Sequence, residues 1–71
     1  MALPADDIDY LLDRRGWYLQ QIAATNERIS HAAEAGASGS LEEDAGTLAR
    51  FQNIVATIEH ALSVEGIKFD T

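Results

Sequence analysis

"SLEEDAGTLARFQNIVATIEHAL", residues 40–62, carries the clearest helical pattern in the chain. Large apolar side chains recur every seven residues, with two more between them, in the order Leu41, Leu48, Phe51, Val55, Ile58 and Leu62. Spacings of three, four and seven residues place side chains on one side of an α-helix. The pattern therefore predicts a helix over about residues 41–65 that buries this side against another element.

The residues around this helix predict its ends. Ser40 and Glu43 have the spacing of a capping box, in which each side chain binds the backbone N–H of the other residue. Gly66 is typical of a helix C-terminus. The remaining "IKFDT" is predicted to form a short extended tail over residues 66–71, because Ile67 and Phe69 alternate with polar residues.

A second helical pattern precedes this one and begins at Ile8. Pro4 suits a helix entrance, and Asp6 or Asp7 could accept the first free N–H groups. The pattern predicts a helix over about residues 6–35, followed by a Gly/Ser-rich turn over 36–40. A short turn makes the two helices antiparallel, so residues 1–71 are predicted to form one all-α, two-helix hairpin domain. A kink or break at Gly16 is the alternative, and a break would give three helices.

The core side of the first helix follows from its heptad positions. With Ile8 at position a, the a, d and e positions form one wide apolar stripe, which we expect to face the second helix. These positions hold Ile8, Arg15, Ile22 and Ile29 (a), Leu11, Tyr18, Thr25 and Ala32 (d), and Leu12, Leu19, Asn26 and Ala33 (e). The c positions, Tyr10, Trp17, Ala24 and His31, then lie roughly opposite the stripe.

This c column predicts a partner surface. Tyrosine and tryptophan often anchor protein contacts, and Gly16 would let a neighbouring backbone approach closely. We therefore expect a partner interface made of Tyr10, Gly16, Trp17 and His31 together with Ile67 and Phe69 of the tail. The plainer alternative is that Tyr10 and Trp17 are ordinary exposed aromatic residues.

Two polar residues interrupt the predicted stripe, Arg15 and Asn26. Arg15 could lay its aliphatic stem on the stripe with its charge in water. Alternatively it could pair with a carboxylate, and an antiparallel hairpin brings Glu59 and Glu65 within reach. Asn26 at such a position could fix the register of the packed helices.

Composition narrows the classes of function. The 71 residues carry a net charge of -7 and no cysteine, which excludes disulfides and thiolate metal sites. An acidic chain is a poor ligand for nucleic acid or an anionic membrane. So short a chain builds only a small core and commonly needs a partner. We therefore expect a homo-oligomer or a subunit docked on a larger assembly.

No catalytic or cofactor-binding pattern is present, so we expect no enzyme activity, no cofactor and no metal. The two histidines, His31 and His60, lie near opposite ends of the predicted hairpin. The acids cluster near the two helix starts, where negative charge complements the helix dipole. An acidic protein can alternatively occupy the basic groove of a nucleic-acid-binding enzyme.

The sequence thus predicts a non-enzymatic interaction or structural protein that self-associates or joins a larger assembly, such as a phage particle. The alternative is an acidic inhibitor of a nucleic-acid-binding enzyme. The stretch "MALPADD" lacks the features of a signal peptide, and no apolar run approaches the length of a membrane span. We therefore expect a cytoplasmic protein, or a virion component assembled in a bacterial cytoplasm, with no membrane contact.

Overall fold

The computed structural model describes residues 3–69 as two antiparallel α-helices, with no strand in that range. Helix α1 is Ala5–Ala35 and helix α2 is Ser38–Val64. The predicted all-α hairpin is confirmed. The three-helix alternative is wrong, because α1 continues through Gly16 without interruption. Asp70 and Thr71, the last residues of the predicted tail, lie outside the described residues.

The connection between the helices is only two residues long, Gly36 and Ala37. Gly36 has φ +74°, a left-handed conformation that costs other L-residues about 1–2 kcal/mol. The N–H of Ala37 donates to the Ala32 carbonyl at 2.9 Å, and that of Gly36 to Ala33 at 3.3 Å. This arrangement reverses the chain at once. The predicted turn over 36–40 is therefore too long.

The predicted side-chain caps are wrong at both helix starts. Because the chain reverses within two residues, α2 begins at Ser38, and Ser40 and Glu43 lie inside the helix rather than at its cap. At α1 the cap residue is Pro4, with no side-chain capping bond from Asp6 or Asp7. The Pro4 carbonyl accepts hydrogen bonds from the N–H groups of Asp7 and Ile8 at 3.0 and 3.1 Å.

Helix α2 ends in the same way as α1. Gly66 has φ +89°, and the Ile67 N–H donates to the Leu62 carbonyl at 3.1 Å. The N–H of Leu3 donates to the Glu65 carboxylate, which joins the start of the chain to the end of α2. The C-terminal tail, described over residues 66–69, therefore leaves the helix in a defined direction.

The core lies along the line where the two helices meet. Val55, Ile58 and Leu62 are its buried apolar residues, and Leu62 is fully buried. They belong to the apolar column predicted for α2. Thr25 of α1 is also fully buried, and its hydroxyl accepts a hydrogen bond from Arg28 Nη2 at 3.0 Å.

The predicted a/d/e stripe of α1 is wrong on one side. The residues at e, including Leu12, Leu19 and Asn26, are exposed, whereas Arg14 and Gln21 at position g are half-buried. Around Arg14 and Gln21 the seam of α1 therefore uses positions a, d and g, whereas Arg28, the next g residue, is exposed. Positions e and g flank an a/d seam symmetrically, so the periodicity alone does not distinguish them. The c column borders g on a helical wheel and is not opposite the seam.

Candidate functional site

The hairpin has two long faces, one on each side of its seam. Since the helices are antiparallel, their e positions lie on one face and their g positions on the other. We call these the e face and the g face. Heptad positions in α2 are counted with Leu41 at position a. The e face then carries Leu12, Leu19, Asn26, Ala45, Gln52 and Glu59, and the g face carries Arg14, Gln21, Arg28, Thr47 and Ile54, bordered by Tyr10 and Trp17.

An aromatic cluster occupies the g face. The Trp17 ring lies edge-on to Tyr18 and Phe51, with centroid distances of 5.0 and 6.4 Å. Tyr18 and Phe51 are 5.7 Å apart. The Arg14 guanidinium lies 4.7 Å from the Trp17 centroid and 5.1 Å from that of Tyr18. Such cation–π and edge-to-face geometries are stabilising, so this cluster fastens α1 to α2.

The prediction that Trp17 faces away from the core is therefore wrong. Its ring reaches Phe51 of α2 because the c column borders the buried g flank. Trp17 is still 43% exposed and Tyr10 62%, and His31 is exposed. Gly16 is half-buried, and a Cβ added there would meet no atom within 4 Å. Close backbone approach at Gly16 therefore does not occur within the chain.

On the e face, Arg15 joins the two helices through Glu59. Its Nε donates a hydrogen bond to Glu59 Oε2 at 2.7 Å, and its Nη2 lies 2.6 Å from the same oxygen in an ion pair. Both side chains are mostly buried, with 23% and 28% exposure. Of the two carboxylates considered for Arg15, Glu65 instead accepts the Leu3 N–H. The Arg15 guanidinium also lies 4.1 Å from the Phe69 ring centroid.

The tail folds back on its own chain and forms the wall of a groove. This open groove, of about 520 Å³, is lined by Ala56, Glu59, His60, Ser63, Ile67, Lys68 and Phe69. Ile67 and Phe69 are half-buried, whereas Ala56 is exposed. Both predicted tail residues thus belong to the e face, away from Tyr10 and Trp17. The predicted interface residues are divided between two faces.

Asn26 does not lie in the seam. It is exposed at position e, so it cannot fix the register from within the core. The neighbouring Thr25 is the polar residue that the core encloses. The heptad pattern already placed Thr25 at a core position, d. It did not single Thr25 out, because the methyl group of threonine packs like that of an ordinary core residue.

The acidic residues lie at the helix start as predicted in α1, whose first turn contains Asp6 and Asp7, but not in α2. The first turn of α2 contains no acid, so the helix dipole does not account for Glu42, Glu43 and Asp44, since its effect is confined to that turn. Asp44 instead lies 3.7 Å from Arg28 across the hairpin. Exposed acids also follow the outer side of α1, at Asp6, Asp9, Asp13, Glu27 and Glu34.

Other kinds of site receive no support from the described chain. Among residues 3–69, no three His, Cys, Asp or Glu side chains are grouped closely enough to hold a metal ion. Within the same range, neither helix is both long and apolar enough to cross a membrane. Comparisons with models of protein families, with curated proteins and with solved structures find no match.

Proposed function

We propose that this chain is a non-enzymatic helical interaction protein that associates with itself. In the same role it could serve as a small accessory subunit of a larger protein assembly, such as a phage particle. The location predicted from the sequence, cytoplasmic or within a virion, forms part of this proposal.

The observation that supports the proposal is that the chain exposes more surface than a compact monomer of its mass and buries few apolar side chains. The chain exposes 5153 Å², whereas a compact monomer of its 7.7 kDa would expose about 4300 Å². Its radius of gyration is 15.1 Å, against roughly 11 Å for a compact domain of this length. Only three apolar side chains in residues 3–69 are buried. Pairing would cover part of this surface and enlarge the core.

Association predicts that stability depends on protein concentration. If the folded state is a dimer, a 100-fold rise in concentration should raise the thermal midpoint by roughly 10 °C. Circular dichroism at 222 nm across a dilution series measures this directly. A midpoint that stays constant over the series, with full helicity, would contradict self-association.

A second candidate is an acidic inhibitor that occupies the basic groove of a nucleic-acid-binding enzyme. The acids along the outer side of α1 favour it, since they are exposed over most of the length of the helix. A ridge of carboxylates resembles the spaced charges of a nucleic-acid backbone. An inhibitor of this kind needs no second copy, so a concentration-independent midpoint would favour it.

A further inference from the structure

The e positions of the hairpin carry almost no net charge, although the chain as a whole is acidic. The molecule carries twelve acidic and five basic residues, yet the only charged e position on either helix is Glu59, and Arg15 neutralises it at 2.6 Å. The other e positions are Ala5, Leu12, Leu19, Asn26, Ala33, Ser38, Ala45 and Gln52. Two chains of net charge -7 would therefore meet through these positions with little repulsion between them.

The size of the face suits a stable contact between two copies. The hairpin measures 48 × 20 × 15 Å. One long face therefore has an area comparable to that which each partner contributes to a standard interface, about 800 Å². The excess surface of the chain over a compact monomer is of the same order. An interface of this size requires most of the e face to be covered.

The e face also carries a projection and a recess that match. Leu12 is 38% exposed and projects from α1. It precedes Arg15 by about one helical turn, so in an antiparallel pair it is level with residues one turn after Glu59. One of these is Ser63, which lines the groove beside the tail. The exposed leucine and the open groove therefore lie side by side at one end of the face.

A two-fold axis along the length of the hairpin exchanges these two features. Such an axis places α1 of one copy over α2 of the other at the same height. Leu12 of each copy then meets the groove of the other, and Leu19 meets the side of α2 that carries Gln52 and Ala56. This contact is isologous, as in most homodimers, and it sets large side chains against small ones.

Resting on the self-association proposed above, we propose that the e face binds the e face of a second copy and forms a four-helix bundle. In this bundle Leu12 fills the groove between Ala56 and the tail of the other copy. The Arg15–Glu59 pair is covered without leaving a free charge. His60 and Lys68, which are exposed, line the groove and interact with water at its border.

The test places a charge on this face and measures the dimer dissociation constant by sedimentation. Leu12→Glu should raise that constant at least about 100-fold, because it puts a carboxylate into an apolar contact beside Glu59 of the other copy. Ala56→Glu should act in the same way from the groove side. The matched control is Tyr10→Glu, two residues away at the border of the g face, which should change the dissociation constant less than about 3-fold.

The double variant Leu12→Glu/Ala56→Lys tests whether the contact is reciprocal. The double variant should have a dimer dissociation constant at least about tenfold lower than that of Leu12→Glu, since opposite charges then meet across the interface. If the unmodified chain dimerises but Leu12→Glu and Ala56→Glu leave its affinity unchanged, the assignment of the e face is wrong while self-association stands. If the unmodified chain is a folded monomer throughout, the proposed function itself is wrong.

Discussion

Leu62→Ala is expected to lower the free energy of unfolding by about 2–5 kcal/mol, the usual cost of removing a buried leucine side chain. Leu62 is fully buried and is one of only three buried apolar residues within 3–69. A chain of this length has a total stability of roughly 4–10 kcal/mol. The substitution should therefore lower the thermal midpoint by at least roughly 10 °C, or unfold the protein.

Val64→Ala is the matched control for this prediction. Val64 lies two residues further along α2 and is 69% exposed, so its loss should change the free energy of unfolding by less than about 0.5 kcal/mol. Urea titrations followed by circular dichroism measure both variants. Equal effects of the two substitutions would show that Leu62 is not enclosed as described.

Arg15→Met is the second substitution with a large expected effect. It retains an apolar stem but removes the hydrogen bond and the ion pair to Glu59 and the contact with Phe69. The carboxylate left behind is mostly buried, with 28% exposure. We expect the free energy of unfolding to fall by about 1–3 kcal/mol, less than for a fully buried pair because water reaches Glu59.

A double-mutant cycle separates the ion pair from the general loss of packing. Arg15→Met/Glu59→Met should be more stable than the sum of the single effects implies, with a coupling energy of about 1–2 kcal/mol. Arg50→Met serves as the control, because Arg50 is exposed on α2 and should cost less than about 0.5 kcal/mol. A coupling energy near zero would contradict a stabilising interaction between Arg15 and Glu59.

The hairpin itself could be predicted from periodicity because both helices have seams with spacings of three and four residues. Val55, Ile58 and Leu62 are buried as their column predicts. The position of Glu59 opposite Arg15 could also be predicted, because two antiparallel helices joined near Ala37 bring these residues to the same height. These features depend on repeated positions along a helix, which a sequence displays directly.

The flank that is buried could not be predicted in this way. Leu12 and Leu19 made position e look like the core flank, but Trp17, Tyr18 and Phe51 gather on the g side. These rings contact one another across the two helices and also hold Arg14. This preference depends on a contact between helices, so local periodicity does not reveal it.

The helix ends differed from prediction for a related reason. The capping box at Ser40 is a local sequence pattern. The chain reversal at Gly36 starts α2 at Ser38, so Ser40 already lies inside the helix and cannot cap it. Likewise, the Glu65 carboxylate accepts a hydrogen bond from the N–H of Leu3, 62 positions away in the chain. Contacts of that kind arise only once the ends of the hairpin meet.

The most direct test of the account is the native mass of the unmodified chain. Sedimentation equilibrium from about 1 to about 100 μM covers the dissociation constants expected for a moderate interface. Self-association predicts that the mass rises with concentration towards twice the 7.7 kDa of the chain. A helical protein that sediments at 7.7 kDa at every concentration would contradict the central claim.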